Sequence, residues 1–250
     1  MLVNVNLDLD VRYNARLAGV IKWGLGYFLA DVLAMTGNEM TEKLFWKDPY
    51  QTELVSKIIS LKGNEIELSE TIFYAESGGQ ESDVGTMNGI PVLKAEKREQ
   101  TIIYTLAEVD GLTVGSEVIT KIDWPRRYAL MKLHFAAEVV LELFTQTYSI
   151  NKIGAHISAE KSRIDFEWNE NISTFLPDFQ IKAMSLINAD LPIESYFSDF
   201  ELQRRCWEVK DFAKVPCGGT HLKRTSEVGA ILLKRKNIGK GKERVEISLA

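Results

Sequence analysis

The sequence predicts an α+β protein: a small β-barrel followed by an α+β domain. Three observations carry that expectation. Between residues 54 and 123, short runs rich in Ile, Val, Thr and Tyr alternate with glycine-containing turns, as closely spaced antiparallel strands do. From Pro125 to Ser149, apolar residues recur at helical spacing over one unbroken stretch. Beyond it, strand-like and helix-like segments mix, as they do when helices pack on an antiparallel sheet.

The elements follow in order. The chain opens with a segment, "RLAGVIKWGLGYFLADVLAMTG", that Arg16, Lys22 and Asp31 interrupt. Its longest charge-free run, Trp23 to Ala30, is far short of the ~20 residues that span a bilayer. No basic start with a small-residue cleavage pattern marks a secretory signal. The expectation is a short helix packed on the body or on a partner chain; the polar face is not basic, which argues against a helix lying on a membrane. Six candidate strands follow: "LVSKIIS", "EIELS", "TIFYA", "VLKAEK", "TIIYTLAEV" and "SEVITKID". Turns at Gly63-Asn64, Gly78-Gly79, Asn88-Gly89 and Asp110-Gly111 separate them. At Asp123-Trp124-Pro125 the texture changes, and Pro125 suits the first turn of a helix. Leu130, Leu133, Ala137, Val140, Leu141 and Phe144 then mark one long helix. Two strands, "KIGAHISAE" and "SRIDFEW", a helix near residues 175–189 and further β character complete the chain. The expected division is 1–39 as an extension, 40–123 as the barrel and 124–250 as the α+β domain.

Composition narrows the function. A hydrophobic share of 45% supports an ordinary folded core, and a net charge of -5 removes any global basic field, so a nucleic-acid partner needs a local patch. Two cysteines make no disulfide framework, which points to a reducing cytoplasm. Against that scarcity, and with three histidines in all, "PCGGTH" sets Cys217 and His221 four positions apart. His134 and Glu138 share one face of the long helix at the same spacing. Gly218-Gly219 rules out a continuous helix at the second pair, so a tight loop must bring its side chains together. The four donors suit zinc in tetrahedral geometry. A buried histidine beside a solvated glutamate accounts for His134 and Glu138 equally well. Cys206 has no partner at ligand spacing and reads as a small buried residue.

"CGGTH" after a helix bearing His134 resembles the editing domain of alanyl-tRNA synthetases and, more closely, the free-standing AlaX-type trans-editing proteins. "FYAESGGQESDVGTM" resembles the glycine-rich motif of that family. "HISAEKSRIDFEW" resembles its Arg-hydrophobic-Asp-Phe strand pair, and "HLKRTSEVGAILLKRKNIGKGKERVE" its C-terminal pattern. The likeness runs from about Met40 to the end, in the family's order. It implies an N-terminal β-barrel and a two-layer α+β editing domain of the threonyl/alanyl-tRNA synthetase type. It implies a cytoplasmic hydrolase serving translation fidelity, which cleaves the ester of seryl- or glycyl-tRNA(Ala) in trans, since 250 residues leave no room for a synthetase core. It implies a zinc site at His134, Cys217 and His221, with Glu138 where the family has a second helix histidine. Glu138 then ligates at the cost of added negative charge, or water takes its place, or the metal is lost. Ser77 replaces a motif glycine, and Ala75 and Glu81 replace its prolines. Residues 1–39 fall outside the likeness and are either an extension ahead of a start at Met40 or an additional helix.

Within that reading, Gln80 and Thr220 are candidates to recognise a substrate hydroxyl, and His156 lies near the site. Each has a plainer alternative: a turn cap, a local backbone bond and a strand histidine, respectively. The tRNA contact is expected at Lys223, Arg224, Lys234, Arg235, Lys236, Lys240, Lys242 and Arg244, where only Glu227 and Glu243 oppose the charge locally. Two rival functions remain: a catalytically silent relative that binds tRNA or a partner protein, and a zinc hydrolase of a small ester or amide.

Overall fold

The computed structural model describes residues 41–250; the N-terminal apolar segment lies outside them. Short β1 (Glu42–Lys43) and a 3-10 turn at Leu44–Trp46 lead into β2 (Glu53–Lys62). Then come β3 (Glu65–Leu68), β4 (Glu70–Thr71), β5 (Gly85–Met87), β6 (Ile90–Arg98), β7 (Thr101–Leu106) and β8 (Glu117–Ile122). Six strands close into a barrel in the order β2-β3-β7-β6-β5-β8. Its interior holds Ile58, Ile66, Leu68, Met87, Tyr104 and Val118, all fully buried. Asn88 and Gly89 both take positive φ between β5 and β6, the backbone of a type I′ hairpin turn.

One expected strand is corrected. Of "TIFYA" only Thr71 is in a strand, and the barrel instead uses Gly85–Met87. Phe73 to Ala75 are as buried as strand residues, but their polar backbone is bonded by side chains rather than a ladder. Arg127 donates to Ile72 O (2.7 Å), Tyr104 Oη to Phe73 O (3.0 Å), and Tyr74 N to Asp83 Oδ2 (2.7 Å). An apolar run thus met the satisfaction rule for buried backbone without joining the sheet.

Helix α1 (Trp124–Thr147) starts as its sequence dictates: Asp123 caps Arg126 N (3.0 Å), and Pro125 occupies the first turn. Apolar residues on several sides let it sit centrally; Met131, Phe135, Val139 and Phe144 face the main core, and Leu130 and Leu133 meet Ile157. Next come β9 (Asn151–Ile157), β10 (Ser162–Glu167) and α2 (Leu176–Asn188). They are followed by β11 (Glu194–Asp199), β12 (Arg204–Val209), β13 (Ala213–Pro216), β14 (Ile231–Asn237) and β15 (Lys242–Leu249). The sheets run β14-β15-β10-β9 and β11-β12-β13. Phe144 and Phe179 stack between the two helices at 3.9 Å. Among the described residues no helix is long and apolar enough to cross a membrane.

The glycine-rich loop joins the two parts. Gly79 accepts from Ile157 N (2.7 Å), and Glu81 N donates to Ile157 O (3.0 Å), so the loop runs along β9. A Cβ on Gly79, at φ +90°, would come within 2.8 Å of Ala155 O. Below the loop, Arg127 of α1 and Asp83 form an ion pair with both side chains at 0% exposure. Arg127 also donates to Pro49 O (3.0 Å). Removing one member of such a pair leaves a buried charge unmatched, which costs about 3–5 kcal/mol. Asp83→Ala is therefore expected to lower the urea unfolding free energy by roughly that amount, and Asp83→Leu with Arg127→Met to recover much of it. A loss below about 1 kcal/mol for Asp83→Ala would show that the pair is not holding the parts together.

Candidate functional site

Four donor side chains meet where α1 passes the loop after β13. His134 and Glu138 come from successive turns of α1, and Cys217 and His221 from the loop. One ligand atom from each lies within 4.8 Å of all the others. His134 Nε2 is 3.4 Å from Cys217 Sγ and 3.3 Å from Glu138 Oε1. His221 Nε2 is 3.3 Å from the same sulfur and 3.5 Å from Glu138 Oε2.

The donor set fits a zinc ion. Tetrahedral zinc with bonds of about 2.0–2.3 Å spaces its ligands roughly 3.3–3.6 Å apart, and the four separations above fall in that range. Glu138 Oε2 is buried without a hydrogen-bond partner, and coordination to a cation would compensate for it. Both imidazoles are also set to ligate through Nε2. Thr220 N points to Gln80 Oε1 (3.5 Å) and Gln80 Nε2 donates to Thr220 Oγ1 (3.0 Å), which fixes the amide. Its Oε1 then accepts from His134 Nδ1 at 2.6 Å, leaving the Nε2 lone pair for the cluster. On His221, Ser195 Oγ takes the same place at 3.2 Å.

The charges agree. Burial opposes protonation of both imidazoles, yet the Glu138 and Cys217 charges outweigh it and hold the His134 pKa well above the ordinary imidazole range. His221 is raised too, with Cys217 the main favourable partner. Burial alone would push Glu138 and Cys217 up, but His134, with His221 behind it, draws the carboxyl far down and the thiol below its usual range. Protons held on these side chains are what a dication would displace.

Local structure explains the loop. Cys217 N donates to Arg205 O (2.9 Å), extending the β12–β13 ladder to the ligand itself. The Trp46 indole donates to Gly218 O (2.9 Å). Gly219 passes so close to α1 that a Cβ there would overlap the His134 ring and stand 2.9 Å from Gln80 Oε1. The CGGTH spacing exposed the ligands. The roles of Trp46 and Ser195 had no signal in sequence, because both are single contacts across the fold.

Gln80 and Thr220 thus reach the cluster as supports of His134. His156 does not join it: its Nε2 is 3.2 Å from Glu81 Oε1, beside a separate groove that Arg126, Arg163 and Arg244 also line. Cys206 is buried. The basic run is less free than its local count implied. Arg224 pairs with Asp190 (2.6 Å), Arg235 with Glu243 (2.6 Å) and Arg244 with Asp165 (2.6 Å), while Lys223 lies 3.7 Å from Asp48. Asp190, Asp165 and Asp48 are remote in sequence, which is why local charge counting missed them. Lys234, Lys236, Lys240 and Lys242 carry no ion pair among the described residues.

Comparison with known proteins accords with this arrangement. Residues 31–126 match the family model for tRNA synthetases class II (A), and residues 205–246 that for the threonyl and alanyl tRNA synthetase second additional domain. The barrel and the ligand loop thus lie in segments that match synthetase family models. Alanyl-tRNA editing protein AlaX-M of Pyrococcus horikoshii is 34% identical over 84% of this chain and 98% of its own length. The AlaX-M of Saccharolobus solfataricus is 32% identical over 82% of this chain and 98% of its own. Alanine–tRNA ligase of Methanococcus maripaludis is 30% identical over 83% of this chain and 26% of the ligase. The chain belongs to the AlaX-M family of alanyl-tRNA editing proteins.

Two outcomes are expected if the four-donor cluster holds zinc. Gly219→Ala displaces His134, so zinc per chain measured by mass spectrometry falls well below that of the wild type while the circular dichroism spectrum is retained. Zinc added to metal-free protein in weak buffer releases protons, and zinc affinity falls as pH drops, because the imidazoles' raised pKa values let protons compete at higher pH than usual. Uptake without proton release would mean the histidines are not ligands.

Proposed function

We propose that the protein is a trans-acting deacylase that hydrolyses the ester of seryl- or glycyl-tRNA(Ala), with zinc held by His134, Glu138, Cys217 and His221. The observation that carries this reading is the four-donor cluster itself, open to a cavity of about 250 Å³ lined by Tyr74, Ser77, Gly78 and Ile157 among others. The AlaX-M relatives, matched over nearly their full length, support the substrate class.

The residues suggest a division of labour. A bound zinc ion would supply a point of positive charge that polarises a nearby oxygen or anchors an amino group. Glu138 and Cys217 bring two negative charges, so the set balances the ion and tempers its Lewis acidity. Positioning then carries more of the rate, which suits an ester that is labile from the start. Gln80 holds His134 in one tautomer, and Thr220 orients Gln80. The cavity wall from Tyr74 to Gly78 belongs to the glycine-rich loop, so barrel and helix shape the pocket jointly. A pocket that bonds a serine hydroxyl disfavours alanine by about 1–3 kcal/mol for each polar group left unpaired. The four unpaired lysines after the ligand loop are the proposed phosphate contacts.

The test is deacylation of seryl-, glycyl- and alanyl-tRNA(Ala) with zinc quantified in the same preparation. Loss of serine or glycine with alanine spared is the expected result. Cys217→Ala is expected to lose both zinc and activity, and Glu138→His to keep zinc. Zinc-loaded protein that leaves all three esters intact would favour a silent tRNA-binding relative, and tRNA-independent cleavage of small esters would favour a general hydrolase.

A further inference from the structure

The cavity beside the donor cluster has two charged side chains that the cluster does not use. Glu142 of α1 and Lys152 of β9 both line it. Neither makes an ion pair among the described residues, with each other or with another group. The one bond at Glu142 outside the helix ladder is to its backbone carbonyl, from Thr145 Oγ1.

Both placements go against local preference. Glu142 stands one turn beyond Glu138, and like charges at that spacing weaken a helix. Its carboxyl pKa is raised, by burial first and by Glu138 second, as befits an acid with no counterion. Lys152 reaches the cavity by a β-bulge. In the β9–β10 ladder His156 opposes Arg163 and Gly154 opposes Asp165, and then the register shifts so that Lys152 opposes Phe166. Simple alternation would set Lys152 on the same side as Gly154 and His156. The extra residue, Ile153, turns it to the side of Ala155, Ile157 and Ile164, which line the cavity with it.

We propose that Glu142 receives the α-ammonium group of the esterified amino acid and that Lys152 receives the phosphodiester of the tRNA's terminal nucleotide. This rests on the deacylase reading above. An aminoacyl ester on the terminal ribose carries one cation on its amino acid, and its nearest anion is that phosphodiester, with the scissile ester between. The cavity offers both complements: a partly buried carboxylate one helical turn from Glu138 and an exposed ammonium on β9. A carboxylate in this place also gives the pocket a selectivity of its own. It accepts free aminoacyl esters and disfavours N-acylated ones, whose nitrogen carries no charge.

The experiment compares seryl-tRNA(Ala) with N-acetylseryl-tRNA(Ala), using wild type, Glu142→Gln and Lys152→Gln, with zinc content measured for each. The wild type is expected to prefer the free amine through KM. Glu142→Gln is expected to raise KM for seryl-tRNA roughly 10- to 100-fold, the worth of one charged hydrogen bond, and to leave KM for the N-acetyl ester nearly unmoved. Lys152→Gln is expected to raise KM for both esters alike and to lower the slope of log KM against log salt by about 0.7–0.9. Equal effects of Glu142→Gln on the two esters, at full zinc content, overturn the α-ammonium contact. An unchanged salt slope in Lys152→Gln overturns the phosphate contact. Failure of the wild type to hydrolyse either ester overturns the deacylase reading, and this proposal with it.

Discussion

The buried pair of Arg127 and Asp83 is the constraint on which the site depends. Asp83 ends the glycine-rich loop, and Arg127 lies in the first turn of α1. Neither charge is tolerable without the other in a region sealed from water. Their union sets where the loop crosses the helix. Gln80 therefore arrives beside His134, two turns further on, and Tyr74 arrives at the cavity wall. Asp83 also accepts Tyr74 N, so one carboxylate fixes the helix and the loop backbone together. The donor cluster is thus built at a junction rather than inside one layer of structure.

Much of this was legible in the sequence, for specific reasons. The long helix was clear because its apolar spacing is uninterrupted and Asp123 and Pro125 mark its start. The four donors stood out because cysteine and histidine are so scarce here that two pairs at the same spacing draw notice. What stayed hidden depends on contacts distant in sequence. "TIFYA" has a strand's composition, yet side chains of Arg127, Tyr104 and Asp83 satisfy its backbone instead. Gly85–Met87 is too short and too plain to read as a strand. The basic run looked free because Asp190 and Asp165 approach it only in the fold.

The cluster shows why a site can be costly to the fold that carries it. Two imidazoles, a cysteine sulfur and a carboxylate are packed together largely out of water, and Glu142 adds a further acid one turn along. Local rules of helix charge and burial are broken here and at Arg127, while the other buried residues of α1 are apolar. Gly219 and Gly79 are matched to this crowding, since each passes a neighbour too closely for a side chain.

The run of the glycine-rich loop along β9 has a consequence for solubility. β9 is the outermost strand of its sheet, and an outermost strand offers unpaired N–H and C=O groups to any other extended chain. Gly79 and Glu81 occupy those groups at Ile157. The barrel therefore acts as a guard on an otherwise sticky edge. An α+β half expressed without it would present that edge to its own copies, and self-association would follow from the missing cover.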